Sequence, residues 1–144
     1  MSSDSVNRIN SVYRILDANI NRTQEGLRVC EDTARFILNN YYFARKLKNI
    51  RHRLNTINTY YIDKSKKNLL KARNIEKDKG KESISQEMYR QNFKDILFAN
   101  FRRVEESLRV LEEFSKLVDK SVAQKYKNIR YEIYGIEKKI ALSI

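Results

Sequence analysis

Proline and tryptophan are absent from this chain of 144 residues, and it has only three glycines, one cysteine and one histidine. With no proline and so little glycine, helices go uninterrupted and the turn signals that punctuate β-sheets are missing. The fold class this predicts is all-α. The single cysteine, Cys30, rules out an internal disulfide framework, and its place on an apolar helix face marks it as a buried structural thiol. Zinc-type Cys/His spacing is absent, and a lone histidine, His52, is more often a surface or hydrogen-bonded residue than a catalyst. No stretch approaches the roughly 18 apolar residues of a membrane span. The amino end lacks an apolar signal segment, so the expected location is cytoplasmic. Walker, protein-kinase and dinucleotide glycine loops are also missing.

What the chain has in abundance is positive charge. Thirty Lys and Arg face 18 Asp and Glu, a net +12. Half of it lies between Lys64 and Lys81, where eight basic residues outnumber two acidic ones. Such a surface attracts nucleic acid, acidic membrane or small polyphosphates.

One stretch is written twice. Ala18, Asn19, Arg22, Glu25, Leu27, Arg28, Val29 and Glu31 return 81 positions later as Ala99, Asn100, Arg103, Glu106, Leu108, Arg109, Val110 and Glu112. Asp32 is matched by the similar Glu113. A weaker echo follows, with Lys46, Asn49, Ile50 and Arg51 answered by Lys125, Asn128, Ile129 and Arg130. Two long copies suggest a duplicated helical hairpin and not a solenoid.

Both copies have helical periodicity. Leu16, Ile20, Thr23, Leu27, Cys30, Ala34 and Ile37 gather on one face, as do Phe101, Val104, Leu108, Leu111, Ser115 and Val118. The spacing predicts a first helix over residues 5–38, about 50 Å long, broken at Asn39-Asn40. A second is expected over residues 41–61, with Phe43, Leu47, Ile50, Leu54 and Ile57 inward. Residues 63–90 are expected to connect the halves, with a short helix around Leu69, Leu70 and Ala72 and a mobile loop over residues 73–85. A third helix is expected over residues 91–119. A fourth, capped by Ser121, carries Tyr126, Ile129, Ile133, Ile136 and Ile140 inward. The expectation is a single domain, residues 1–144, forming an antiparallel bundle of about four long helices. Its two hairpins, about 5–62 and 91–141, would be related by a pseudo-twofold axis. Most of the nine tyrosines and six phenylalanines are expected in the core.

Arg22, Glu25 and Arg28 climb at three-residue steps, a spacing that allows a self-paired, solvated ion ladder. Both copies nevertheless keep Arg and not Lys at 22/103 and 28/109, in a chain where Lys is common. Arginine offers a planar fork to carboxylate or phosphate. The mixture of Glu with Arg, and the lack of a one-sided basic stripe, argue against a nucleic-acid partner.

These residues carry a resemblance. The pattern Asp-Ala-Asn-x-Asn-Arg-x-x-Glu-Gly-Leu-Arg-Val-x-Glu-Asp-x-Ala-Arg-Phe over residues 17–36, with its second copy, resembles the small hydroxymethylpyrimidine phosphate kinases of thiamin biosynthesis. These occur alone or fused to the amino end of thiamin-phosphate synthase. The family's mid-chain loop reads Arg-Asp-Thr-x-x-Asp-Val-Gly-Thr. Here it is Arg73-Asn74-Ile75-Glu76-Lys77-Asp78-Lys79-Gly80-Lys81, with the first Asp, both Thr and the Val replaced.

The resemblance implies ATP-dependent conversion of 4-amino-5-hydroxymethyl-2-methylpyrimidine phosphate to its diphosphate, with magnesium accompanying ATP. Without a glycine loop, Arg22, Arg28, Arg103 and Arg109 are the expected phosphate ligands or their orienters, converging from two helices. Asn19, Glu25, Asn100, Glu106, Arg51 and Arg73 are the expected substrate-binding set. Asn19 and Asn100 either read the pyrimidine or bond across to the partner helix. Glu31, Glu112 and Asp78 are candidate magnesium ligands; the two glutamates could instead orient arginines. The other reading is a non-catalytic module that docks onto thiamin-phosphate synthase. A homo-oligomer would also suit a self-similar bundle.

Overall fold

Hydrogen-bonding side chains start every long helix in the computed structural model, which describes residues 2–144 apart from the side chains of residues 62–67 and 86–87. Lys64, Lys66 and Lys67 of the basic run therefore lie, as side chains, outside the described residues. Helix α1 (Ser3–Asp32) is capped by Ser2, α2 (Tyr41–Ala72) by Asn40, α4 (Phe93–Ser115) by Asn92 and α5 (Lys120–Ser143) by Asp119. A one-turn helix, α3 (Ser85–Met88), lies between the halves. The cap of the last helix is Asp119 and not Ser121. Its Oδ1 accepts from the Ser121 amide at 2.8 Å and the Ser121 hydroxyl at 2.6 Å.

The break after α1 is sharper than expected. A π-helical turn, Thr33–Ile37, closes α1, and Asn39 takes φ 51°, the left-handed conformation asparagine tolerates. The Asn40 amide reaches back to the Ala34 carbonyl at 2.9 Å. The wider turn shifts the helical phase, which puts Ile37 on the surface.

One expectation about the connector fails. No separate helix forms around Leu69–Ala72, because α2 continues through the basic run to Ala72, with Leu69 and Ala72 buried. Within the following loop Lys79–Lys81 form a 3₁₀ turn capped by Asp78. The third helix is also shorter than expected, and Val118 is exposed beyond its end.

The four long helices form an all-α antiparallel bundle. Helices α1 and α4 make the most extensive contact, α2 covers α1, α5 covers α4, and α2 meets α5 more lightly. Leu16, Leu27, Leu47, Leu54, Phe101, Leu108 and Ile133 are among the side chains fully removed from water. Two buried tyrosine hydroxyls are paired across helices: Tyr61 Oη donates to Ser115 Oγ and Tyr126 Oη to Asn58 Oδ1, both at 2.7 Å. Tyr61, Tyr126, Phe43 and Phe101 are buried and Tyr13, Tyr60, Phe98 and Phe114 pack against the core, while Tyr41, Tyr42, Tyr89, Tyr131, Tyr134 and Phe36 are exposed.

Gly26 explains how α1 and α4 approach so closely. A Cβ built there would lie 2.8 Å from Val104 Cγ2 and 3.2 Å from the Asn100 carbonyl oxygen. One turn earlier Thr23 Oγ1 and Ser107 Oγ share a buried hydrogen bond at 2.7 Å. Position 26 thus meets 104 while 23 meets 107, the contacts expected if the two helices exchanged places. Gly26→Ala is expected to destabilise the bundle by about 1–3 kcal/mol despite alanine's better helix propensity, because stiff Val104 and a backbone carbonyl cannot yield. Val104→Ala in the same chain should recover part of the loss. Urea unfolding of both variants checks this, and a Gly26→Ala protein as stable as the parent would refute it.

Candidate functional site

The first groove forms where the connecting segment returns to α1. Arg73, the residue at which α2 ends, places Nε and Nη2 on Asp17 Oδ2 and Oδ1 at 2.7 and 2.6 Å. This two-point pair fixes the start of the connector on the side of α1. Asn74 and Asp78 then shape the turn, accepting from the amides of Lys77 at 3.0 Å and Gly80 at 2.9 Å. Between connector and helix lies a cavity of about 330 Å³ lined by Arg14, Asp17, Asn19, Arg22, Arg73 and Asp78, among others. Of the expected site residues, Asn19, Arg22, Arg73 and Asp78 therefore come together. Arg14 and Asp17 belong with them and were not anticipated.

Asn19 does not bond to the partner helix. Its Nδ2 donates to the Ile15 carbonyl one turn back at 2.8 Å, leaving Oδ1 to accept from Arg22 Nη1 at 3.3 Å. Asn100 likewise donates to the Ile96 carbonyl at 2.8 Å. The groove thus presents arginine forks at its rim and an oriented amide at its wall, a set suited to an anion attached to a hydrogen-bonding ring.

A second groove, of about 690 Å³, follows α4, where Phe98, Arg102, Arg103 and Glu106 face Tyr89 and Glu137. Arg103 and Glu106 fall here. Glu25 stands between the grooves, 3.8 Å from Arg103 Nη2.

The four expected catalytic arginines do not all converge. Arg22 lines the first groove and Arg103 the second. Arg28 and Arg109 line neither, because six helical residues carry a side chain about 120° further round the axis. They instead serve two buried carboxylates. Glu31 is met by Arg28 at 3.6 Å and, through both oxygens, by Arg51 at 2.7 and 3.3 Å. Glu112 Oε2 is met by Arg109 at 3.2 Å and Arg130 at 2.9 Å. His52 is exposed. Among the described residues no group of three or more His, Cys, Asp or Glu is arranged to hold a metal. Nor, among them, is any helix long and apolar enough to cross a membrane.

Behind the second groove sits a buried acid. Burial, then the hydrogen bonding and charge of the neighbouring Glu137 carboxyl, push Glu105 from 4.5 up to about 8. Its Oε2 is buried without a hydrogen-bond partner. Cys30 on α1 faces the same carboxyls, while Arg102 and Glu106 on α4 oppose one another in effect on Glu105. Between about pH 4.5 and 8 the folded chain keeps a proton that the unfolded chain releases, so this group makes stability fall as pH rises through that window. Glu105→Gln is expected to flatten that decline and to be the more stable protein at pH 8.5. Parallel melting curves across the range would refute this.

Residues 14–139 match the ThiD2 family model. The chain is 45% identical over 127 residues to a thiamine-phosphate synthase of Nostoc punctiforme, covering 88% of this chain and 34% of that protein. It is 40% identical over 128 residues to the thiamine-phosphate synthase of Synechocystis sp., covering 88% and 35%. With that of Rhodopirellula baltica it shares 34% over 135 residues, covering 93% and 35%. It therefore spans about a third of the length of the curated relatives it matches. No solved structure matches it. With the matched segment running from the groove arginine Arg14 to Lys139 near the end of α5, the chain belongs to the ThiD2 family.

Proposed function

We propose that this protein acts in thiamin biosynthesis as an ATP-dependent kinase, converting 4-amino-5-hydroxymethyl-2-methylpyrimidine phosphate to its diphosphate. The observation that carries the reading is the first groove, where Arg14, Arg22 and Arg73 surround the Asn19 amide. The acceptor's phosphate would meet the arginines, and its aminopyrimidine the oriented amide. One acceptor phosphate oxygen attacks the γ-phosphorus of ATP; the new P–O bond forms as the bond to the β-phosphate oxygen breaks, and ADP leaves. The attacking oxygen is already anionic near neutral pH, so no strong base is needed, in keeping with a chain whose one histidine lies elsewhere. Positioning and charge neutralisation supply the rate.

Magnesium enters this scheme as part of the nucleotide substrate. Glu31 and Glu112 are engaged by arginines and Asp78 by its turn, which supports magnesium arriving with the nucleotide. Their role here is to orient: Glu31 holds Arg28 and Arg51, and Glu112 holds Arg109 and Arg130.

One observation favours a second reading. Relatives named thiamine-phosphate synthase carry a matching stretch as about a third of their length, so the domain could be a non-catalytic partner of such a synthase. ADP release with ATP, magnesium and the pyrimidine phosphate, beside the unphosphorylated alcohol, separates the two. Turnover with the phosphate alone supports the kinase. Turnover with neither, from folded protein that co-purifies with the synthase, supports the partner.

A further inference from the structure

We infer that the second groove, between α4, Tyr89 and Glu137, is the nucleotide lobe of the site: the ring of a nucleoside triphosphate packs on Tyr89 and Phe98, and its phosphates run along Lys94, Arg102 and Arg103 toward Arg22. The inference rests on the kinase reading above and adds where the donor sits.

Three observations lead to it. The first is divergence between matched positions. Arg14, Asp17 and Arg22 of the first groove correspond, 81 residues on, to Asp95, Phe98 and Arg103 of the second. The exposed arginine, Arg22 or Arg103, is kept, while the tethering carboxylate is replaced by an aromatic ring. Two lobes built on one plan but lined so differently suit two different ligands. The second is composition. The second groove has aromatic rings at Tyr89, 63% exposed, and half-buried Phe98, and it is about twice as large as the first. Lys94, Arg102 and Arg103 line the same groove. Rings with adjacent cations bind a base by stacking and its phosphates by charge. The groove also has carboxylates; Asp95 is occupied by the Gln91 amide at 3.0 Å, and Glu106 and Glu137 remain on its wall.

The third observation is contiguity. Arg22 lines the first groove; Glu25 lies three residues on, about 4.5 Å along the same helix. Glu25 is 3.8 Å from Arg103 of the second groove. The Glu25–Arg103 pair thus links the helix that carries Arg22 to the second groove, and a terminal phosphoryl group leaving one lobe would enter the other there.

Calorimetric titration with the magnesium complex of a non-hydrolysable ATP analogue tests the assignment, with circular dichroism confirming that each variant is folded. Lys94→Glu/Arg102→Glu is expected to weaken analogue binding at least tenfold while leaving pyrimidine phosphate binding unchanged. Tyr89→Ala should weaken the analogue but not inorganic tripolyphosphate, which has no ring to stack. Unchanged analogue affinity in these folded variants, or no analogue binding to the parent, would overturn the nucleotide lobe. Tripolyphosphate binding as tightly as the analogue, with Tyr89→Ala altering neither, would overturn it in favour of a polyphosphate site. Analogue binding that follows the second groove, without turnover of the pyrimidine phosphate, would retain the lobe and discard the kinase.

Discussion

Asp17→Asn is expected to lower turnover of the pyrimidine phosphate about a hundredfold, equivalent to ~2.7 kcal/mol of transition-state stabilisation. The Asp17 side chain is 12% exposed and gives one oxygen to each of two Arg73 donors. Asparagine has one acceptor in place of two and turns an NH₂ group against the guanidinium, so the two-point pair is lost. What is lost with it is position: Arg73, Asn74 and Asp78 are held over the groove by this contact. A small displacement of phosphate-binding groups is costly when rate comes from orientation. Stability should change little, because Arg73 is 42% exposed and solvent-screened pairs contribute about 1 kcal/mol or less. Arg73→Lys should act in the same way, since a point charge cannot reproduce the fork. Steady-state kinetics with melting controls decides the matter. Parent-like turnover in both variants would mean that the connector plays no part in the chemistry.

The helical stripes were legible because burial imposes a 3.6-residue period that no other fold class shares. Leu16, Ile20, Thr23, Leu27, Cys30 and Ala34 lie inward as the pattern requires. It failed where the period itself changed: the π-helical turn rotates Ile37 outward, and nothing in Thr33–Ile37 announces it. The end of α2 was hidden for another reason. Lysine crowds residues 64–71 and reads as a linker, yet Leu69 and Ala72 continue the apolar face begun by Leu47 and Leu54. Long basic side chains are compatible with a helix whose other face is buried.

The candidate site was legible in proportion to its repetition. Asn19 and Arg22 stand out because they recur as Asn100 and Arg103, and Arg73 and Asp78 because a family loop contains them. Asp17 escaped notice as a site residue because its counterpart is Phe98. Comparing a chain with itself brings forward what both halves share and suppresses what distinguishes them. A binding site that takes two unlike ligands depends on the second kind of residue. The convergence of four arginines failed on geometry, since a ladder with three-residue steps drifts about 60° per step around its helix.

Glu112 offers the second large effect, on stability. Its side chain is 5% exposed, and its Oε2 accepts from Arg130, 10% exposed, and from Arg109. Arg130 Nε already lacks a hydrogen-bond partner. Replacing Glu112 with Ala leaves a guanidinium in the α4–α5 interface without its buried carboxylate partner, and such losses cost about 3–5 kcal/mol. Glu31→Ala should cost less, because Arg51 is more exposed, at 17%, and can turn toward water. Adding Arg130→Met to Glu112→Ala should return much of the loss, since a buried pair replaced by apolar side chains is often neutral or better. Urea unfolding of the single and double variants gives these differences, and a Glu112→Ala cost below about 1 kcal/mol would contradict the buried pair. The same series bears on magnesium. A carboxylate that binds metal would make the parent's melting temperature depend on magnesium and the variant's independent of it. If Glu112 instead orients arginines, the difference between the two proteins is the same with and without the ion.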